Sequence, residues 1–337
     1  MAVRDIQIHP RTQDLILATH GRGIMIVDDI SPLRNLTPEI INADAALLPT
    51  RPTPLSNGHF GGAFPSAGGY VGNNATEEAV IIYYLKERVT TGDVKVEIYD
   101  AQGNKMETLN GTKRKGINKV NWSMHMKPPR TAPGVRLDYA GFVSPLVEKG
   151  IYTVKLLANG KTYEGKLELI DDPLLSHSAE DKALQRSTAM KLYADVEDLA
   201  YFTTKIVALK DSLGKRDSLT ADKTLKKNIS LVRDSLEAIR KRCVATKGGT
   251  AITGEERIRE KLSEMFANVC GYAGRPSALQ LQRVTGLEKE IADEQAKAET
   301  LWNKNIVALN AQFTKAKLPE VKWLSKEEYD KTDTRGK

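Results

Sequence analysis

The stretch LILATHGRGIMIVDDI, residues 15–30, brings together residue types that can do chemistry. Its candidate binding residues are His20, Arg22, Asp28 and Asp29, which surround two glycines. An imidazole beside carboxylates can act as an acid–base group or as a metal ligand. A structural interpretation fits the pattern better, because Gly21 and Gly23 allow a chain reversal between two apolar strands, where Arg22 can pair with a carboxylate. We therefore expect the two glycines to be structural.

Chemistry is sparse in the rest of the chain. The five histidines lack the spacing of metal ligands, and there is no HExxH motif, no GxSxG motif and no phosphate-binding glycine loop. Adjacent carboxylates such as Asp171 and Asp172 point to opposite faces of a strand and cannot share a substrate. The sequence therefore predicts no catalytic residue, no metal site and no cofactor.

Charge and hydropathy restrict the class of partner. The chain of 337 residues has a formal charge of +7, with 50 Lys and Arg against 43 Asp and Glu. Residues 1–174 contain 20 basic and 19 acidic residues, so the excess lies in the remainder, where the two signs are interleaved. Interleaved charge is typical of solvated helix faces. No apolar run is long enough to cross a bilayer. We expect neither a nucleic-acid partner nor a membrane span.

Two cysteines, Cys243 and Cys270, are too few for a disulfide framework and lack metal-ligand spacing. Cys243 continues an apolar helical stripe, which favours a buried free thiol. A Cys243–Cys270 bridge between helices is the alternative, and it would require an oxidising compartment.

The first part of the chain, residues 1–48, contains apolar runs at 3–8, 15–19 and 24–28 that are long enough for strands and too short for helices. Three such strands form at most one small sheet, which cannot bury both of its faces. Its edges are therefore candidates for self-association. Residues 49–75 are rich in Pro, Gly, Ser and Asn and predict a linker. Three aromatic residues favour docking of this linker on a neighbour: Phe60, Phe64 and Tyr70.

The remainder predicts an all-β domain followed by helices. Residues 76–172 contain β-rich runs bounded by turn residues, which predict an antiparallel sandwich of immunoglobulin or fibronectin type with Trp122 in its core. Residues 173–320 switch to a period between three and four and predict an antiparallel helical bundle. Residues 321–337 are interpreted as a polar tail. The fold class is thus multidomain, β plus α.

The stretch IQIHPRTQDLILATHGRGIMIVDDISPLRNL resembles the final blade of bacterial (Bacteroidetes-like) BNR-repeat, sortilin-like β-propeller proteins. That blade carries a THGRG turn, an apolar strand and DDISPLR. The segments YVGNNATEEAVIIYYLKE, KVEIYDAQGNKM, GINKVNWSM and GIYTVKLLANGKT resemble the Ig-like domain of flagellar-hook-capping type that follows in this family. The helices ending in LNAQF resemble its C-terminal helical region.

The resemblance implies a terminal blade and hence the C-terminal part of a longer, exported protein of the periplasm or cell surface. It implies a non-catalytic role in binding or assembling proteins or glycans, with missing blades of the parent chain as further partners. The alternative is that these are accessory domains of a glycoside hydrolase with a sialidase-like propeller, whose active site would lie in blades absent here. No aspartate box of the S-x-D-x-G-x-T-W kind occurs in this chain.

Overall fold

The computed structural model describes residues 2–56, 76–249 and 253–333. The chain divides into two compact units. The β unit comprises Met1–Met126 and Leu146–Ser176, and the helical unit comprises Lys127–Pro145 and His177–Lys337. Antiparallel sheets and several helices, the coarse β plus α architecture expected from the sequence, are present.

The β unit begins with a three-stranded antiparallel sheet. Its strands, in sheet order, are β1 (Val3–Ile8), β2 (Leu15–Thr19) and β3 (Ile24–Val27). These bounds agree with the predicted runs to within one residue. Two short helices follow, α1 (Ser31–Arg34) and α2 (Pro38–Asn42). Each has a proline in its first turn, where the missing N–H would have had no helical partner.

Two further sheets of the β unit share one hydrophobic core. The smaller contains, in sheet order, β4 (Ala45–Leu48), β6 (Ala79–Leu85) and β9 (Gly116–Trp122). The larger contains β5 (Thr53–Leu55), β11 (Lys161–Asp171), β10 (Gly150–Ala158), β7 (Lys95–Tyr99) and β8 (Lys105–Asn110). All neighbours are antiparallel except β5 and β11. Trp122 lies in the shared core, 1% exposed, with its ring centroid 5.3 Å from that of Tyr152.

The helical unit contains six helices among the described residues. They are α3 (Ala179–Leu219), α4 (Lys223–Cys243), α5 (Ile258–Cys270), α6 (Ala278–Leu301), α7 (Val307–Lys315) and α8 (Lys326–Lys331). A π-helical turn, Trp302–Ile306, joins α6 to α7. Their apolar stripes form one core, in which Leu192, Ile229 and Phe266 are fully buried. Within the described ranges, no helix is both long and apolar enough to cross a membrane.

Strands β4 and β5 lie outside the predicted 76–172 domain, yet they pair with β6 and β11. Each has only three or four residues, too few to show an alternating pattern, and its partner is distant in sequence. The predicted boundaries at residues 48 and 75 therefore divide strands from the sheets to which they belong. The predicted docking of the linker aromatics lies outside the described residues.

The helical unit differs from the predicted bundle in two places. Lys127–Pro145, expected within the β domain, belongs to the helical unit. The expected polar tail instead packs: Val321 and Tyr329 are 2% and 3% exposed, and Trp323 stacks on Trp302 at 4.9 Å. Charged residues separate these three apolar side chains, so composition alone hides the packing.

Candidate functional site

The turn between β2 and β3 has the backbone conformation that the two glycines allow. Gly21 and Gly23 have φ of +82° and +67°, in the left-handed region that disfavours a side chain. The hydroxyl and the backbone N–H of Thr19 both donate to the carbonyl of Gly23, at 2.7 and 3.1 Å. The glycines therefore close a hairpin.

His20 and Arg22 project from this hairpin into solvent. The backbone N–H of His20 donates to the carbonyl of Ala2 at 2.9 Å. Arg22 forms no ion pair with the part of the chain that the structure describes, so the expected pairing with a carboxylate is absent there. Four extended residues of β3, spanning about 13 Å, separate this turn from Asp28. The four candidate residues do not form one site.

Asp29 organises the end of β3. Its φ of +45° is left-handed, a conformation that Asp tolerates better than most residues. One carboxylate oxygen, Oδ1, accepts from the backbone N–H of Ser31 at 3.0 Å and from its hydroxyl at 2.6 Å. These bonds hold the turn into α1, so the role of Asp29 is structural.

Asp14, which sequence inspection passed over, is the partner of Asp29 in this arrangement. Its Oδ1 accepts from the backbone N–H of Asp29 at 2.9 Å, and its Oδ2 accepts from the hydroxyl of Thr12 at 2.5 Å. Burial raises the pKa of the Asp14 carboxyl, but these hydrogen bonds and the charge of Arg51 outweigh burial and bring the pKa below its usual value. Arg51 also donates to the carbonyl of Thr12 at 2.6 Å. Asp14 thus joins the turn before β2 to the end of β3, while Arg51 ties that turn to the segment that follows α2.

Asp28 and Asp29 line a cleft of about 540 Å³ in the β unit. Basic and acidic side chains both line it, including Arg51, Lys119 and Asp172. None of the described polar side chains that line it is fully buried. An open cleft of mixed charge without a buried polar group does not define a ligand.

The opposite surfaces of the β1–β3 sheet differ in chemistry. Directly opposed residues of an antiparallel pair share a face, and the register forms two cross-strand rows of three residues on each face. One face carries six apolar side chains, here called the apolar face: Ile6, Ile8, Leu15, Leu17, Met25 and Val27. The other face is mixed and includes Asp5 and Gln7 beside Ile24 and Ile26.

The apolar face is open to solvent. Ile6 is 59% exposed, and Ile8, Met25 and Val27 are 41–46% exposed. Exposed apolar clusters of this kind mark interaction sites more often than isolated surface residues do. Among the described strands, β1 and β3 each pair only with β2, so within this part of the chain both also present unpaired backbone groups. In the sequence, this site is indicated by the apolar strand pattern. The polar residues His20, Arg22, Asp28 and Asp29 instead suggested a site at the turn.

Both cysteines are free and buried. Burial raises the pKa of the Cys243 thiol and of the Cys270 thiol to about 12, which keeps both protonated. The structure therefore does not contain the Cys243–Cys270 disulfide that was the alternative. Among the described residues, no group of three His, Cys, Asp or Glu side chains is arranged to hold a metal ion.

No protein-family model and no curated protein matches this chain. Among solved structures, it is similar to a mutant Salmonella alpha-2-macroglobulin, with 12% identity over 47% of this chain and 8% of that chain, at a TM-score of 0.21. CopC from Methylosinus trichosporium matches with 14% identity over 30% and 84% of the two chains, at a TM-score of 0.18. The BSP domain of a biofilm-associated protein matches with 8% identity over 51% and 20%, at 0.20. TM-scores this low support no conclusion about fold or function.

Proposed function

We propose that this chain is a non-catalytic binding and assembly segment that docks on another protein through the apolar face of β1–β3. The observation that carries the proposal is the exposure of that face, whose members are typical core residues. The favourable occupant is a second β layer, because sheets that pack face to face bury such rows of aliphatic side chains.

A blade of a β-propeller has these properties, since it buries its faces only against neighbouring blades. The THGRG turn and the DDISPLR segment, on which the resemblance to BNR-repeat, sortilin-like propellers rests, correspond to the Gly21–Gly23 hairpin and to the Asp29 turn that leads into α1. We therefore propose that β1–β3 is a propeller-blade segment and that blades are its natural partners.

The two-sheet part of the β unit supports an Ig-like assignment. Its sheets are antiparallel apart from one short pairing, and Trp122 lies at their common core. An exported location, in the periplasm or at the cell surface, rests on the family resemblance alone and is part of the same proposal.

A protein partner is favoured over a glycan. The docking face is aliphatic, and residues 2–30 contain no Phe, Tyr or Trp on which a sugar ring could stack. An accessory role beside a glycoside hydrolase would need a sugar-binding surface, and no feature of β1–β3 provides one. We therefore propose protein assembly as the function.

Sedimentation velocity of the full chain over a hundredfold dilution tests this proposal. In the absence of another partner, we expect concentration-dependent self-association, because the apolar face is self-complementary. Hydrogen exchange across residues 3–27 should slow as the concentration rises. Met25→Lys should abolish both effects by placing a charge on the apolar face.

Ile24→Lys is the matched control, since Ile24 is adjacent in β3 but lies on the mixed face and is 70% exposed. We expect this variant to associate as the unmodified chain does. A chain that stays monomeric at every concentration, with β1–β3 fully protected from exchange, would overturn the proposal.

A further inference from the structure

A second exposed apolar surface lies in the helical unit, on the segment Lys127–Pro145. Its side chains alternate between buried and exposed positions. Ala132, Ala140 and Val143 pack on the helical core. Four large side chains between them face solvent, here called the loop patch: Val135 (60% exposed), Leu137 (67%), Tyr139 (43%) and Phe142 (72%).

A buried ion cluster holds this segment against α5. The guanidinium of Arg259, only 5% exposed, donates through Nε to Asp138 Oδ2 at 2.8 Å and through Nη1 to Glu260 Oε1 at 2.9 Å. Its Nη2 donates to the carbonyl of Arg136 at 2.7 Å. The hydroxyl of Ser263 donates to Asp138 Oδ1. Every nitrogen of Arg259 is therefore engaged, and the buried charge is compensated.

The backbone at Gly134 also lies close to the side chain of Arg259, which helps to fix the loop on α5. A Cβ on Gly134 would lie 1.8 Å from Nη1 of Arg259, so only glycine fits at this contact. Asp138 also caps a 3-10 turn, Tyr139–Gly141, by accepting from the backbone N–H of Ala140 at 3.1 Å. The loop patch is thus presented by a backbone fixed at several points, which lowers the entropy lost on binding.

Two carboxylates at the border of the loop patch form no ion pair within the described part of the chain. Glu256 and Glu264 line a cavity of about 180 Å³ together with Leu137 and Tyr139. Both are exposed, and neither forms a hydrogen bond or ion pair with the described part of the chain. Arg259, a buried cation of the same cavity, is already neutralised by Asp138 and Glu260. Arg136 also lines the cavity and donates to the carbonyl of Glu255 at 2.7 Å. The lining thus carries four carboxylates against two guanidinium groups, and its net charge is negative.

We propose that the loop patch is a protein-docking surface, separate from the apolar face of β1–β3, and that its partner is a basic, apolar polypeptide segment. Aliphatic and aromatic side chains of the partner would cover Leu137 and Phe142, while its Lys or Arg side chains would pair with Glu256 and Glu264. Apolar contacts supply most of the affinity, and the carboxylates select the sign of the partner's charge.

Fluorescence anisotropy of the full chain with three labelled peptides tests this inference. The first alternates lysine and leucine, the second glutamate and leucine, and the third lysine and serine. We expect the lysine–leucine peptide to bind at least about tenfold more tightly than the other two. Its dissociation constant should rise with ionic strength, because surface ion pairs are screened by salt.

Variants assign the binding to the loop patch. Phe142→Ser should raise the dissociation constant of the lysine–leucine peptide about tenfold, and Glu264→Gln should raise it several-fold at low salt. Leu279→Ser is the matched apolar control, since Leu279 is 75% exposed on α6. Glu327→Gln, whose side chain is 80% exposed on α8, is the charge control. Neither control should change the affinity.

A pair of glycine substitutions tests the anchor without altering the exposed side chains. Gly134→Ala should displace the loop from Arg259 and weaken peptide binding. Gly141→Ala should not, because its Cβ would meet Thr131 at an ordinary distance of 3.8 Å. Equal binding of the peptide by the Phe142→Ser variant and the unmodified chain, or no selective binding at millimolar concentration, would overturn the inference.

Discussion

The β1–β3 sheet and the two packed sheets of the β unit are built from similar strands but have opposite exposure. Ile26 on β3 and Ile98 on β7 both lie in antiparallel sheets, yet Ile26 is 59% exposed and Ile98 is fully buried. Strand formation therefore does not by itself lead to burial. A strand pattern specifies hydrogen-bonded neighbours, whereas burial requires a second layer that faces the sheet.

The difference in exposure also means that the apolar side chains of the two regions have different roles, folding stability in one and partner binding in the other. The two packed sheets contribute to the folding free energy through the apolar area that they bury between them. A sheet with one open apolar face contributes less in the isolated chain and keeps that area for a partner. The substitutions below test this distinction, from the largest expected effect to the smallest.

Replacing Trp122 with Ala should have the largest effect. The side chain is 1% exposed, and loss of a buried aromatic ring costs about 3–5 kcal/mol in unfolding free energy. We expect the calorimetric transition of the β unit to shift down by many degrees. Ile26→Ala, the comparison within β3, should cost under about 0.5 kcal/mol in dilute solution. Comparable losses for the two variants would show that the β1–β3 sheet is buried in solution.

Asp138→Ala should come next, because it leaves the buried Arg259 with Glu260 as its remaining carboxylate partner. Breaking a buried ion pair costs about 3 kcal/mol. Hydrogen exchange across residues 132–143 should accelerate strongly, since this segment is attached to α5 through the same pair. The control is Glu327→Ala, which removes an exposed pair with Lys331 and should cost at most about 0.5 kcal/mol. Unchanged exchange in the Asp138 variant would mean that the apolar contacts alone hold the segment.

Local patterns in the sequence predict much of this fold. The strands β1, β2 and β3 and the helix stripes follow from periodicity. Ser277 and Gln280 have the spacing of a capping box and form one at the start of α6. A similar pair, Thr253 and Glu256, does not begin a helix. The neighbouring Glu255 accepts from the backbone N–H of Thr246 at 2.7 Å, and α5 starts only at Ile258.

Features that depend on distant partners were not predictable in this way. The pairing of β5 with β11 and the contact of Asp138 with Arg259 each join residues more than a hundred positions apart. Of the candidate site, the sequence predicted the hairpin glycines and the strands but not the role of Asp14. It also predicted a small sheet that cannot bury both of its faces, but the register that places Ile6, Leu17 and Met25 on one face is known only from the structure.

Gly21→Ala tests the hairpin and should have a smaller, local effect. The substituted Cβ would meet no atom within 4 Å, so the cost arises only from the φ of +82°. Such strain is worth about 1 kcal/mol, which corresponds to roughly fivefold faster hydrogen exchange in residues 15–27. Gly248→Ala is the matched control, because it also has open space but lacks a positive φ. Equal effects of the two substitutions would show that the left-handed turn is not maintained in solution.

Asp195 on α3 shows that burial also changes what an ionisable side chain contributes to the free energy of unfolding. Its Oδ2 is buried and finds no hydrogen-bond partner among the described residues. Burial, reinforced by the nearby charge of Glu288, raises the pKa of the Asp195 carboxyl from its usual 3.8 to about 6. Because the folded-state pKa lies above the unfolded value, folding favours the protonated acid. The contribution of this group to stability is therefore greatest below about pH 4 and is lost as the pH rises through 6.

Asp195→Asn should consequently raise the melting temperature at pH 7.5 and leave it nearly unchanged at pH 4. The group is half-buried, so solvent screening limits the gain at neutral pH to the order of 1 kcal/mol or less. Thermal melts of the variant and the unmodified chain at half-unit steps from pH 4 to pH 8 measure the difference directly. Asp211→Asn is the control, since Asp211 is exposed on the same helix, is not among the charges that raise the pKa of Asp195, and should produce no such pH-dependent gain when replaced. A difference between variant and unmodified chain that stays constant across this range would place the pKa of Asp195 outside it.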